Sequence, residues 1–254
     1  MIDIHSHILP GVDDGAKSEE DSLEMAREAV KQGITAMIAT PHHRNGKYDN
    51  TRDEIVRYVD ILNKLFEKEN IPLTVLPGQE TRLHGEMMEE LHHGVMLPLN
   101  GTKYVFVEFP SQNVPRYAKQ MLFDIQVGGY TPIIVHPERN HELLEHPDRL
   151  YDFVREGALT QVTAASIVGK FGKKIQKFSH QIIEANLTHF IASDAHNTTT
   201  RGFMMDEAFT AIKNKYGSDH FYMFLENGDL LIDNQHVHRM EPEKIRKKKF
   251  LGLF

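Results

Sequence analysis

The chain has 254 residues, a formal net charge of -7 and 40% hydrophobic residues, an ordinary composition for a protein with a full core. The negative charge argues against a general nucleic-acid binder, and no apolar run is long enough to predict a membrane span. Because the sequence has no cysteine, disulfides, zinc-thiolate sites and thiol nucleophiles are excluded. A strand pattern begins at the second residue and leaves no room for a signal peptide, so we expect a cytoplasmic protein.

The first predicted strand carries two histidines at its end. Ile2 and Ile4 alternate with polar residues and lead directly into His5 and His7. Side chains two residues apart on a strand share a face, so both imidazoles are expected on one side. A glycine-flanked loop with Asp14 follows.

Helices and strands then alternate along the chain. Ser18 is placed to cap the first helix, and Gly33 to end it. The further predicted strands are 34–40, 73–76, 104–109, 132–135, 158–162 and 189–192. The further predicted helices are 51–69, 86–92, 115–127, 147–156 and 171–185, with one or two more within 204–226. Seven strands separated by helices predict a parallel α/β architecture in one domain, with every strand's carboxyl end on the same side.

Six of the seven predicted strands end in a histidine or an acid. The candidate ligands are His5, His7, His42, Glu80, Glu108, His136, Asp194 and His196, with Asp14 added from the first loop. By position alone, Asp13 and Asp14 are typical turn residues. Because the carboxyl ends of barrel strands build one site, these side chains are expected to converge. Nine ligands are too many for one ion, so we predict two or three divalent ions, and mixed imidazole and carboxylate ligation favours Mn, Fe or Zn.

Two arginines follow the ligand-bearing strands. Arg139 comes three residues after His136, and Arg201 comes five residues after His196. A guanidinium group has the planar geometry that phosphate oxygens accept, and clustered divalent ions lower the pKa of bound water. The combination predicts hydrolysis of a phosphate ester.

The order of these motifs resembles the PHP (polymerase and histidinol phosphatase) superfamily. The motifs are HSH at 5–7, TPHH at 40–43, Glu80, HPER at 136–139 and SDAH at 193–196. The strings HILPGVDDG at 7–15, LPGQE at 76–80 and VEFP at 107–110 are similar to one branch of it. That branch contains the manganese-dependent bacterial protein-tyrosine phosphatases of the YwqE/CpsB type, which are linked to capsular polysaccharide. The resemblance covers residues 1 to at least 235.

The resemblance implies a distorted (β/α)7 TIM-like barrel over residues 1–235, followed by a basic and apolar tail at 236–254. It also implies three ion sites. The first would use His5, His7, Glu80 and Asp194; the second Glu80, Glu108 and His136; the third Asp14, His42 and His196. Arg139 and Arg201 match the family's phosphate-binding arginines. Asp194, His42 and His43 are candidates for a general acid, and the sequence does not choose among them.

The activity implied by the resemblance is metal-dependent hydrolysis of phosphotyrosine by a hydroxide that bridges two ions, without a phosphoenzyme. The expected cofactor is Mn²⁺, with Fe, Co or Zn as alternatives. Expected partners are phosphotyrosyl proteins, including a membrane-associated bacterial tyrosine kinase in capsule or exopolysaccharide regulation. The tail is a candidate contact for the membrane or that kinase.

Three other functions stay open at this point. Histidinol-phosphate phosphatase would use the same metals and arginines, and only the branch-specific strings favour tyrosine phosphatase. An amidohydrolase also begins with His-x-His, but it usually has a bridging lysine where this chain carries Glu80 or Glu108. A non-catalytic phosphotyrosine-binding regulator would not require the intact ligands and arginines.

Overall fold

The computed structural model describes residues 1–245, so the basic and apolar end of the predicted tail lies outside the described residues. Parallel strands and helices confirm the predicted α/β class. The described residues form nine strands where the sequence predicts seven, because residues 42–43 and 80–82 form short additional strands with no helix before them. The strands are β1 (Ile2–Ser6), β2 (Ala36–Ala39), β3 (His42–His43), β4 (Thr74–Pro77), β5 (Glu80–Arg82), β6 (Tyr104–Glu108), β7 (Thr131–Val135), β8 (Leu159–Thr163) and β9 (Phe190–Ala192).

The helices occupy the predicted positions, with two short ones added. They are α1 (Glu19–Lys31), α2 (Arg52–Lys68), α3 (Met87–His93), α4 (Ala118–Val127), α5 (His141–Glu145), α6 (Asp148–Arg155), α7 (Ala164–Ile167), α8 (Lys173–Glu184), α9 (Met205–Tyr216) and α10 (Ser218–Ile232). The sequence did not predict α5 and α7, which span only one turn or so and have no periodic pattern. None of the described helices combines the length and apolar character needed to cross a bilayer.

Side-chain caps fix where the first two helices begin. The hydroxyl of Ser18 accepts a hydrogen bond from the backbone N–H of Asp21 at 3.2 Å, as the sequence predicts. At α2 the backbone N–H of Thr51 donates to the Glu54 carboxylate at 3.2 Å. Such bonds satisfy amide groups that the first turn of a helix leaves without partners.

The strands pair into two parallel sheets, in the orders β1-β2-β4 and β3-β5-β6-β7-β8-β9. Only Thr40 and Pro41 separate β2 from β3, and only Gly78 and Gln79 separate β4 from β5. Proline has no N–H to donate, which interrupts the ladder at Pro41. The ladder resumes where the N–H of Glu80 donates to the carbonyl of Pro41 at 3.0 Å. The two sheets are therefore joined through continuous chain.

The first and last strands also meet. Ser6 and Ala195 form an isolated parallel bridge, and the N–H of His7 donates to the carbonyl of Ala195 at 2.9 Å. The N–H of Asp194 donates to the carbonyl of His5, also at 2.9 Å. These bonds hold His5 and His7 beside the Asp-Ala-His motif at 194–196.

One apolar cluster is shared by strands of both sheets. It contains side chains from several strands, among them Ile4, Ile38, Phe106, Ile133 and Phe190. The ring of His5 lies 4.9 Å from the ring of Phe106, so the cluster directly underlies the candidate site. An apolar, low-dielectric surface of this kind strengthens electrostatic interactions among the polar groups next to it.

The described part of the tail, residues 236–245, packs against the strands and helices. The N–H of His238 donates to the Asn227 side chain at 2.7 Å, and the Asn227 amide donates to the carbonyl of His238 at 3.1 Å. The N–H of Glu243 donates to the carbonyl of Ala185 at 2.8 Å. The boundary at residues 235/236 stays a prediction.

Buried His189 is expected to make stability depend on pH. Burial, followed by the charge of Arg239, lowers the pKa of His189 from its ordinary 6.5 to about 3, and its Nδ1 accepts from the N–H of Thr160 at 3.2 Å. Between pH 6.5 and 3 the unfolded chain binds a proton here that the folded chain does not. The contribution of neutral His189 to the free energy of unfolding is thus complete above pH 6.5 and is lost as the pH falls from 6.5 toward 3.

We therefore expect His189→Gln to reduce the loss of unfolding free energy between pH 7.5 and 5 by about 2 kcal/mol. Urea denaturation of both proteins at the two pH values, with metals chelated, measures this difference. Chelation removes metal release as a second cause of acid sensitivity. An identical pH dependence in the two proteins would contradict the assignment.

Candidate metal centre

The structure brings all nine predicted ligands to the carboxyl ends of the strands. His5 lies in β1, His42 in β3, Glu80 in β5 and Glu108 at the end of β6. The others directly follow β1, β7 and β9 or lie in the first loop: His7, Asp14, His136, Asp194 and His196. All except Asp14, His42 and His136 are buried.

Glu80 lies at the centre of the cluster. Its Oε2 is 2.9 Å from Nδ1 of His42, 3.3 Å from Nε2 of His7 and 3.5 Å from Nε2 of His5. Its Oε1 is 2.7 Å from Nε2 of His136. Two ligands that each lie about 2.1 Å from one ion are about 3 to 3.5 Å apart, so most of these separations match shared coordination.

Asp194 and Asp14 define two further edges of the cluster. Oδ1 of Asp194 lies 3.5 Å from Nε2 of His5 and 3.4 Å from Nε2 of His7. Oδ1 of Asp14 lies 3.4 Å from Nε2 of both His42 and His196. Each carboxylate therefore faces two imidazoles at the spacing of ligands on one ion.

The close groups overlap and differ in part from the grouping that the resemblance implies. Potential ligand atoms lie within 4.8 Å of one another in three sets: His7, Asp14, His42 and His196; His5, His7 and Glu80; and His42, Glu80 and Glu108. His7 thus approaches the Asp14 set, and His42 joins Glu80 and Glu108 in the place expected for His136. Shared residues are typical of ions that bridge through common ligands.

Several buried atoms of the cluster have no hydrogen-bond partner among the described residues. They are Nε2 of His5, His7 and His196, Nδ1 of His42 and Oε2 of Glu80. Buried polar atoms without partners are costly and rare in folded proteins. Lone pairs of imidazole and carboxylate groups that converge without hydrogen-bond partners fit divalent cations, so the residues suit the metal ions that the sequence predicts.

The site's charges shift the pKa values of its ligands. Burial disfavours the charged form of His42, but the carboxylates of Glu80 and Asp14 outweigh it and raise its pKa to about 10. Burial and the neighbouring Glu80 raise the pKa of Glu108 to about 7. Although burial acts in the opposite direction, Arg139 and His5 hold the pKa of Asp194 well below its usual range. The crowding of carboxylates therefore calls for compensating positive charge.

Two of the candidate ligands have a left-handed backbone. His136 has φ 34° directly after β7, and Asp194 has φ 52° two residues after β9. This conformation is uncommon for residues other than glycine, and such positions cluster at functional sites. The turn re-aims each side chain toward the cluster.

Both predicted arginines line a cavity of about 280 Å³ beside the cluster. Arg139 and Arg201 donate to the carboxylate of Asp194, Arg201 at 3.2 Å. Nη1 of Arg201 also lies 3.6 Å from Asp14. Phe109 and Ser111 also line the cavity, which therefore combines cationic groups with an aromatic ring and a hydroxyl.

Three residues that support the ligands were not predicted. Nδ1 of His7 donates to Asp13 at 2.7 Å, and Nδ1 of His5 donates to the amide oxygen of Gln161 at 3.0 Å. Each bond leaves Nε2 free to face the cluster, which is the usual arrangement for a metal-binding histidine. Arg82 donates to both oxygens of Glu108, at 2.9 and 3.0 Å.

Asp13 also organises the loop that carries Asp14. It accepts from the N–H of Gly15 at 2.8 Å and from the N–H of His42 at 3.1 Å. A Cβ at Gly15 would lie 2.0 Å from the carbonyl oxygen of His7, so only glycine fits there. The sequence signal for this role is the Gly-flanked Asp pair, which a turn explains equally well.

We expect Asp13→Asn to weaken metal binding by roughly 10- to 100-fold, because the amide no longer accepts from the His7 imidazole as a charged group does. Titration of metal-free protein with Mn²⁺ measures the affinity. Asp21→Asn, which removes an acid from the nearby helix start, is the control. Unchanged Mn²⁺ affinity in Asp13→Asn would contradict the supporting role.

Comparison with known proteins agrees with this arrangement. Residues 1–233 match the capsular polysaccharide synthesis family CpsB/CapC. The chain is 50% identical to tyrosine-protein phosphatase YwqE of Bacillus subtilis over the full length of both proteins. It is 32% identical to tyrosine-protein phosphatase CpsB of Streptococcus agalactiae over 243 residues, covering 93% of this chain and 100% of that one.

A solved structure gives the same result. It comes from work on YwqE of Bacillus subtilis and CpsB of Streptococcus pneumoniae, described as metal-dependent tyrosine phosphatases. The solved chain is 51% identical to this one. The superposition covers 97% of this chain and 100% of the solved chain, with a TM-score of 0.95. With the family match over residues 1–233, these similarities show that the chain belongs to the CpsB/CapC family.

Proposed function

We propose that the chain is a metal-dependent protein-tyrosine phosphatase. The observation that supports this most is the position of Glu80, whose carboxylate faces four imidazoles beside a cavity lined by Arg139 and Arg201. Full-length relatives named tyrosine-protein phosphatases at 50% and 32% identity support the same activity. The cavity's cations suit a phosphate group, and a phosphotyrosyl protein is the proposed substrate.

The nine clustered side chains would hold the ions, and bound ions would supply an activated water and neutralise phosphate charge. Arg139 and Arg201 would orient the phosphate by donating to its oxygens. Asp194 holds both guanidinium groups in place, and its low pKa leaves this carboxylate without a proton to give. Of the candidates for the general acid, His42, beside Asp14 at the cavity, is therefore the proposed proton donor. With no cysteine in the chain, no thiol takes part.

Manganese is the proposed metal, with Fe, Co or Zn as alternatives, because the ligands mix imidazole and carboxylate. The proposed architecture is the (β/α)7 barrel over residues 1–235. Two observations support it: the parallel bridge between Ser6 and Ala195, and the short interruptions between β2 and β3 and between β4 and β5. A cytoplasmic location and a membrane-associated tyrosine kinase as partner complete the proposal.

The decisive experiment compares a phosphotyrosyl peptide with histidinol phosphate by kcat/KM on Mn²⁺-loaded protein, with metal-stripped protein as control. A strong preference for the peptide that disappears on stripping is expected. Preference for histidinol phosphate would favour the alternative activity, histidinol-phosphate phosphatase. Binding of the peptide without turnover would instead favour a regulator.

A further inference from the structure

An exposed group of lysines lies where α8 begins. Lys170, Lys173 and Lys174 are exposed, and none of their ammonium groups has an ion-pair or hydrogen-bond partner within residues 1–245. We call these three residues the α8 lysine strip. In a chain with a formal net charge of -7, a local run of unpaired positive charge is a distinct surface feature.

The strip lies at the same end of the molecule as the metal centre. α7 follows β8 directly, and α8 begins six residues after α7 ends, so its start is near the carboxyl ends of the strands. α8 packs against the turn at residues 137–139, which carries Arg139. The Arg139 guanidinium lies 5.4 Å from the ring of Phe171, between Lys170 and Lys173 in sequence. The lysines therefore flank, in sequence, the aromatic residue that contacts an arginine of the cavity.

The strip's lysines do not serve the stability of α8. Acidic side chains favour the first turn of a helix and cations oppose it, because the amino end of the helix carries partial positive charge. α1, α2 and α9 each place two or more acids in their first turn, whereas α8 places Lys173 and Lys174 there and no acid. Lys177 follows one turn later and is also exposed. The strip adds to the positive potential of the helix start, which favours an anionic partner.

Given the tyrosine phosphatase activity proposed above, we propose that the α8 lysine strip binds acidic side chains that flank the phosphotyrosine of a protein substrate. A phosphotyrosine with its phosphate at Arg139 leaves its peptide running across the cavity's rim. An extended peptide advances about 3.3 Å per residue, so acids two to four residues away lie roughly 7 to 13 Å from the phosphotyrosine. Because the Phe171 ring lies 5.4 Å from the Arg139 guanidinium and Phe171 stands between Lys170 and Lys173 in sequence, we expect the start of α8 to fall within that reach. The enzyme would select acidic phosphotyrosyl segments.

The test uses two phosphotyrosyl peptides that differ only in their flanks, one with Glu and Asp and the other with Gln and Asn. Mn²⁺-loaded wild-type protein is compared with a variant carrying Lys170→Gln, Lys173→Gln and Lys174→Gln. The control variant carries Lys31→Gln, Lys64→Gln and Lys68→Gln. It changes the net charge equally on α1 and α2, and Lys31 and Lys68 lie at the carboxyl ends of those helices.

We expect wild-type protein to prefer the acidic peptide by roughly tenfold in kcat/KM at low salt, mainly through KM, and to lose this preference in high salt. The preference should persist in the control variant and disappear in the strip variant. An equal preference in the strip variant and wild type, or none in wild type, would overturn the proposal. So would a strip variant that loses activity equally on both peptides, because that indicates damage to the cavity. Failure of wild-type protein to hydrolyse either peptide would instead refute the phosphatase activity itself.

Discussion

Replacing Glu80 with glutamine is expected to abolish most metal binding and nearly all turnover. Its two oxygens face four imidazoles at 2.7 to 3.5 Å, so it is the residue most widely shared among the potential ligands. An amide keeps the shape but removes the charge, and its NH2 group points a donor where a ligand is needed. Loss of a residue that only supports a ligand costs roughly 10- to 100-fold in metal affinity or activity. The loss in Glu80→Gln should be larger.

Metal content after desalting and the rate of phosphotyrosyl-peptide hydrolysis both test this expectation. Glu90→Gln is the matched control, because Glu90 is also buried and its side chain pairs with His43, Arg44 and His84, none of which is a candidate ligand. It should keep its metals even if it is less stable. A Glu80→Gln protein that retains full metal content and turnover would contradict the central position of this carboxylate.

Replacing Arg139 with alanine is expected to impair turnover without removing the metals. The guanidinium lines the cavity and donates to Asp194 instead of completing the imidazole cluster. Removing a preorganised donor to a charge that develops in the reaction typically costs roughly 10²- to 10³-fold in kcat. Arg139→Lys should recover only part of the rate, because an ammonium lacks the planar pair of donors.

Arg149→Ala provides a matched loss of positive charge, because Arg149 pairs with Glu142 away from the cavity. It should leave both metal content and kcat within about twofold of wild type, as surface ion pairs contribute little. If Arg139→Ala instead loses its metals in step with its activity, then its role is to hold Asp194 and not to bind phosphate.

The strand-end pattern of the sequence was sufficient to predict the class of fold and which residues meet. His5 and His7 are placed by strand periodicity, and Glu108 stands out as a carboxylate in an apolar strand. Parallel strands bring their carboxyl ends together, so residues 190 positions apart could be predicted to converge. The lengths of the segments between the strands, and their helical apolar patterns, predicted every described helix longer than five residues.

Finer features depended on contacts that no local pattern encodes. Gln161 lies on the strand that lacks a candidate ligand, and only the folded sheet shows that it contacts His5. Asp13 looks identical to Asp14 in sequence, yet it turns inward to His7. Left-handed conformations at His136 and Asp194 are equally invisible, because neither residue type requires them.

The bridge between Ser6 and Ala195 determines when the site can form during protein synthesis. The carboxylate of Asp3 accepts from both the N–H and the hydroxyl of Ser193, which joins the chain's beginning to a segment made almost 190 residues later. A nascent chain therefore holds its first two histidines without their partners until this segment leaves the ribosome. Complete metal loading therefore requires the segment that carries Asp194 and His196 to have emerged, and any shortened translation product that ends before residue 196 lacks the finished centre.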